Sequence, residues 1–223
     1  MLDFPEKTLF NRVIPKTKFY ENLPVTPAVK GIFVNEIASI AWRNKLSPET
    51  LNVQAGCRIR EIEVIEITLK RGELTESVLR IIDRGIPYHL LFLLRREDRY
   101  MASMSYKELT AEQKGFRMAG EYFGTDWMAF DELPLRIDGV TMDAVHDHFI
   151  QQISGTLIIP EGETLKSAID IAKERERLLR RIAQLESRLA QEKQFNRQLA
   201  INDEIKRLKA SADDTDFSDG VMK

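Results

Sequence analysis

Residues 164–219 contain neither glycine nor proline, so nothing in that stretch interrupts a helix, and Thr164 has the side chain of an N-cap. A single helix over residues 165–209 would be about 68 Å long at the standard rise per residue. A small domain cannot bury that length on itself. The chain is therefore expected to be an α+β domain carrying a mixed β-sheet and packed helices, followed by a long, charged, amphipathic helix or coiled coil. The expected divisions are an N-terminal arm packed on the domain (1–29), the α+β domain (30–159), the long helix (160–210) and an acidic disordered tail (211–223).

Within the helical stretch, Leu178, Ile182, Leu185 and Leu189 step by four, three and four, the a/d stripe of a coiled coil. The same register then meets Glu192 and Asn196, and a second stripe, Ile201, Ile205 and Leu208, is out of phase with the first. The apolar seam must shift around the helix, or the helix must bend or break near Phe195 and Asn196. Self-association by short antiparallel pairing and packing against another protein both fit this pattern. Residues 165–209 hold twelve Lys and Arg against seven Asp and Glu. The cluster Arg175, Arg177, Arg180 and Arg181 is a candidate for phosphate contact with DNA. Glu174 and Glu176 among them favour a solvated, self-neutralised face.

The body reads from its punctuation. Pro5, Pro15, Pro24 and Pro27 leave the arm room for at most one short helix. Ile32, Phe33, Ile37, Ile40, Ala41 and Trp42 recur near helical spacing, so a helix is expected over 31–44. Ser47-Pro48 opens a turn or a new helix. The β-branched content of 57–70 argues strand, the spacing of Leu74, Val78, Leu79 and Ile82 argues helix, and the run His89 to Leu94 argues a central strand with 99–106 as its hairpin partner. A further strand with loops is expected over 121–136, and a helix capped by Thr141 or Asp138 over the region to Ile153.

The net charge of -2 makes no global case for a nucleic-acid binder. A lone cysteine, Cys57, excludes an internal disulfide and a cysteine-based zinc cluster. With no secretory leader at the start and no run of roughly 20 apolar residues, a cytoplasmic protein without membrane contact is expected. Glycine-rich phosphate loops, dinucleotide fingerprints, paired zinc histidines and nucleophile elbows are all missing from the sequence.

The most enzyme-like set is Glu36, Glu61, Glu63 and Lys70: a metal-dependent nuclease needs carboxylates for Mg²⁺ and a nearby lysine. Thr68 stands where the usual acid of such a motif belongs, which favours ordinary strand charges. Mg is the cofactor only in that case; otherwise none is expected. His146 and His148, two apart on a helix, diverge and suit a solvated face, while His89 suits a buried, hydrogen-bonded ring. Lys16, ahead of Phe19 and Tyr20 in the arm, is a candidate cation for a phosphate, against simple packing of the two aromatics.

The segments Ile14-Pro15-Lys16 with Phe19-Tyr20, Trp42 through Asn52, and Glu192 through Leu199 resemble the bacterial family catalogued as domain of unknown function 4391, over nearly the whole chain up to the acidic tail. That family is typically encoded beside a large helicase and a site-specific DNA methyltransferase, in operons similar to type III restriction or other phage-defence systems. The resemblance implies an accessory, non-catalytic subunit that assembles with the helicase and methyltransferase through its C-terminal helix. A DNA nuclease and an oligomeric scaffold contacting DNA are the alternatives. Lys16, Tyr20, Lys45 and Asn52 are carried as binding positions of unknown role.

Overall fold

Strand β3 (Ile62–Leu69) and strand β4 (His89–Arg96) decide the architecture, because nearly every residue of both is buried and each needs cover on two faces. They pair in parallel, which requires a crossover, and helix α4 (Glu76–Gly85) supplies it. The computed structural model describes residues 4–22, 25–70, 74–109, 116–157, 159 and 163–214. It is an α+β fold in two units, Met1–Thr156 and Leu157–Lys223.

In the first unit the other elements are β1 (Leu9–Val13), α1 (Thr17–Asn22), α2 (Pro27–Asn35), β2 (Ile37–Leu46), α3 (Pro48–Leu51), β5 (Arg99–Leu109), β6 (Phe116–Gly124), β7 (Met128–Ala129) and α5 (Met142–Ser154). The sheet has seven strands among the described residues, in the order β1-β2-β3-β4-β5-β6, with β7 paired to the start of β5. Every pairing except β3 with β4 is antiparallel.

One sheet face carries Ile37, Ile40, Ile65, Ile67, Leu90, Phe92 and Leu94, covered by Phe19 of α1, Phe33 of α2 and Val78, Leu79 and Ile82 of α4. Helix α5, with Val145, Phe149 and Ile150 buried, lies against β5 and β6. Thr141 caps it by accepting from the Ala144 N–H, and Gly155 ends it in the left-handed region.

Two expectations fail here for physical reasons. Residues 31–44 are not one helix: α2 stops at Asn35 and β2 begins at Ile37. Strand β2 is bulged between Ile37 and Ser39 and again between Trp42 and Asn44, which spaces its inward residues unevenly and imitates a helical period. The arm also holds a strand, β1, alongside its short helix, and Ile14 N–H donates to the Ile40 carbonyl to fasten it. Ser47-Pro48 does start a helix, with Ser47 and Thr50 forming a reciprocal cap.

The loop ahead of β3 hangs on one carboxylate. Asp143 of α5 accepts from the backbone N–H groups of Cys57, Arg58 and Ile59 at 3.0, 3.1 and 2.8 Å. Gly56 is needed beside it, since a Cβ there would collide with the Asp143 carboxylate and lie 2.7 Å from the Ile59 carbonyl oxygen.

In the second unit, α6 (Leu165–Gln191), capped by Thr164, and α7 (Phe195–Asp214) are two helices instead of one. The break falls at Glu192, just ahead of the expected position, and its carboxylate accepts from the N–H groups of Lys193 and Gln194. The helices fold back on each other so that Ile182 and Leu185 meet Ile201 and Ile205, with Leu189 and Leu208 alongside. The two out-of-phase stripes are the two sides of one antiparallel seam. Ion pairs Arg181–Glu204 (3.0 Å) and Lys209–Glu186 (2.8 Å) span it. Helix α7 runs through Asp214, so the expected disordered tail begins as helix, and residues 215–223 lie outside the described residues. So do residues 160–162, where the expected long-helix segment begins.

Asp143→Ala removes three charge-assisted bonds and leaves the N–H of the buried residue Ile59 unmet. It is expected to lower unfolding stability by about 3 kcal/mol, read from urea denaturation, with Asp143→Asn losing roughly half as much.

Candidate functional site

The four nuclease candidates do not meet. Glu61 and Glu63 sit at the start of β3, whereas Lys70 follows its end, where Lys70 N–H donates to the Glu36 carbonyl and Lys70 Nζ to the Val34 carbonyl. Seven residue steps from Glu63 to Lys70 separate the two groups by about 23 Å, so one cation cannot be shared. Among the described residues no three His, Cys, Asp or Glu side chains come together as a metal site would require.

The charges on β2 and β3 find partners one after another, with one exception. Glu66 takes Arg43 at 2.8 Å, and Glu61 takes Lys45 at 2.7 Å. Glu63, opposite Lys45 in the strand register, is only 1% exposed, and neither of its oxygens has a hydrogen-bond partner. Burial first, and then the charge of Glu61, push the Glu63 carboxyl up to about 8.

Glu63 stands in the wall of a pocket of about 440 Å³ lined also by Ile14, Lys18, Phe19, Trp42, Ile65 and Tyr88. The chain builds it from three pieces. Strand β2 presents Trp42, whose indole N–H is held by the Asn44 carbonyl at 3.1 Å; α1 presents Phe19; and the turn after α4 presents Tyr88. The sequence hid Trp42 and Tyr88 as site residues, because Trp42 lay in an expected helix and Tyr88 in a turn.

Behind that turn is a closed polar network. Asp83 of α4 is ion-paired to Lys107 of β5 at 2.5 Å and accepts from Ser105 Oγ and Tyr122 Oη at 2.9 and 2.8 Å. Lys107 Nζ also donates to the Tyr88 carbonyl at 2.7 Å, which fixes the pocket rim to the sheet. Sequence reasoning missed this set. Its signal was Asp83 beside Ile82 and four residues after Leu79, on the apolar face of a helix.

A second network involves His89 and His146, whose rings stand edge to face with centroids 4.9 Å apart. His146 was expected on a solvated helix face; it is fully buried, because α5 turns that side toward the sheet. His148 is the partly exposed one and bonds the Asp138 carbonyl at 2.9 Å. Burial, then the neighbouring His146, lowers His89 to about 2, and burial lowers His146. Burial alone would raise Asp147, yet the His146 ring and the Arg58 guanidinium at 2.8 Å hold it low.

The remaining sequence candidates have structural occupations. Lys16 Nζ donates to the Ile37 carbonyl at 2.7 Å, Tyr20 packs edge-on against Phe33 and under Lys30, and Asn52 ends α3 with a positive φ of 57°. Arg177 pairs with Glu174, Arg180 with Glu176 and Arg181 with Glu204, so the arginine cluster is largely neutralised within its own unit. Outside the hairpin seam, Leu179, Phe195 and Leu199 are exposed, Phe195 at 75%.

A family model described as Domain of unknown function (DUF4391) matches residues 2–211. No curated protein and no solved structure matches the chain.

The buried groups make stability depend on pH with opposite signs. The histidines have folded values below their unfolded 6.5, so the unfolded chain binds the extra protons. Their contribution is complete above about pH 6.5 and is lost as pH falls below it, by up to about 1.4 kcal/mol per unit for each ring. Glu63 has a folded value above its unfolded 4.5, so its contribution is complete below 4.5 and lost as pH rises through about 8. Two rings outweigh one carboxyl between those limits, so the denaturation midpoint is expected to peak between roughly pH 6 and 7. Glu63→Gln should remove the alkaline decline and leave the acid limb.

Proposed function

The chain belongs to the family of the domain of unknown function DUF4391, and on that premise we propose that it is an accessory, non-catalytic subunit of a bacterial phage-defence or restriction-modification-like system. It assembles with a helicase and a DNA methyltransferase through its C-terminal helical unit. The observation that carries this reading is the exposure of Phe195 and Leu199, one turn apart on α7, on a hairpin whose own seam is already filled by other residues.

An apolar pair left outside a satisfied seam has no folding role within the hairpin. Each such side chain gains about 1.5–3 kcal/mol when a partner covers it, and aromatic anchors of this kind dominate interface energies. The seam residues Ile182, Leu185, Leu189, Ile201, Ile205 and Leu208 then act at one remove, by holding the hairpin that presents Phe195 and Leu199. Leu178, expected in the same stripe, is half-buried further along α6.

The alternatives draw less support. A nuclease built on Glu36, Glu61, Glu63 and Lys70 lacks a meeting point, because Glu61 and Glu63 lie at one end of β3 and Glu36 and Lys70 at the other. A DNA scaffold built on the arginines has to break Arg177, Arg180 and Arg181 away from their carboxylates before they reach phosphate.

Co-expression with the helicase encoded in the same operon tests the proposal. Phe195→Asp with Leu199→Asp should reduce helicase recovery on the tagged chain at least about tenfold, while circular dichroism shows unchanged helix content. Undiminished recovery by the doubly substituted chain removes the docking role.

A further inference from the structure

The pocket beside Glu63 has the makings of a ligand site that the assembly role does not use. Its volume of about 440 Å³ suits a small molecule. Besides Glu63, its lining includes the side chains of Ile14, Lys18, Phe19, Trp42, Ile65 and Tyr88, three of them aromatic. Glu63 contributes a carboxyl with two acceptor oxygens and no donor to either.

An unmet buried carboxyl is costly in a fold that pairs its neighbours Glu61 and Glu66 so closely. What is missing is a set of N–H donors bearing positive charge. We infer that the pocket binds a small organic ammonium, whose aromatic or apolar body lies against Trp42, Phe19 and Ile65 and whose N–H groups donate to the Glu63 carboxylate.

Three observations favour that chemistry over others. An anion would be placed against Glu63 with Glu61 behind it. A bare metal ion would find one carboxylate, with Lys18 and otherwise apolar or aromatic side chains around it, far short of the oxygen ligands that Mg²⁺ or Ca²⁺ takes. A neutral ring would bury its apolar body equally well but would not balance the carboxylate, whereas aromatic faces attract cations. Glu63 is closed to bulk water, so the ligand enters as the rim side chain Tyr88, 37% exposed, swings outward. The Tyr88 carbonyl stays fixed by Lys107 during that motion.

Binding should be linked to a proton. The raised carboxyl is mostly protonated at neutral pH, and an adjacent ammonium favours its ionised form, so the proton leaves to solvent as the ligand arrives. The test uses the full chain and a matched panel: tryptamine, phenethylamine and benzylamine against tryptophol, phenethyl alcohol and benzyl alcohol. Affinities are read by calorimetry, with the Trp42 indole N–H as an NMR reporter of the site.

The amines are expected to bind at least about tenfold tighter than their alcohols. That preference should grow by about tenfold or more from pH 6 to 8.5 and should vanish in Glu63→Gln. Alcohols binding as well as amines, a preference that survives Glu63→Gln, a pH-independent preference, or no binding by any amine would each overturn the assignment. The Gln variant keeps the shape of the side chain and its melting curve shows whether it is folded; the pH series on the native chain stands without it.

Discussion

Covering both faces of the parallel pair β3 and β4 is the constraint from which the rest of the fold follows. Parallel neighbours need a crossover helix on one face, which α4 provides with Val78, Leu79 and Ile82, together with Phe19 and Phe33 from the elements before β2. The other elements then take the positions that remain, with α5 against β5 and β6. Water has no access to the middle of this sheet, so any polar group placed there must be answered by protein.

That rule explains why the charged residues of the sheet are tied so closely. Asp83 is held by Lys107, Ser105 and Tyr122, Glu66 by Arg43, and Glu61 by Lys45. The histidines stay neutral instead. Glu63 alone among the acids of β3 departs from it, and it does so in the wall of a pocket. Groups that violate an otherwise consistent pattern concentrate at functional sites. The helical hairpin shows the same contrast in apolar form: its seam is filled, and Phe195 and Leu199 are left over.

Much of this was readable in the residues, and the failures have definite causes. The strand character of β3 and β4, the helix between them, a turn or helix start at Ser47-Pro48, the caps at Thr164 and at Thr141 or Asp138, and a shift, bend or break near Phe195 all follow from local spacing. Strand β2 did not, because its two bulges replace a period of two with irregular steps. The fold-back of α6 on α7 was visible only as two stripes out of phase; which surfaces they meet depends on a turn at Glu192 made by one side chain. The candidate site was half legible: Glu63 stood out as one of several strand acids, but its solitary state depends on Lys45 choosing Glu61 and Arg43 choosing Glu66. Pair selection of that kind is tertiary and leaves no mark on spacing.

The isolation of Glu63 inside the covered sheet can be observed on the atom itself. Side-chain carboxyl carbons of the uniformly ¹³C-labelled chain, followed by NMR from acid to alkaline pH, report each glutamate separately. The Glu63 resonance should titrate with a midpoint of about 8, far above the ordinary glutamate value of 4.5. A Glu63 midpoint at the ordinary value would mean that the carboxyl is solvated or paired in solution, and the account of a sealed, unanswered acid in the pocket wall would be wrong.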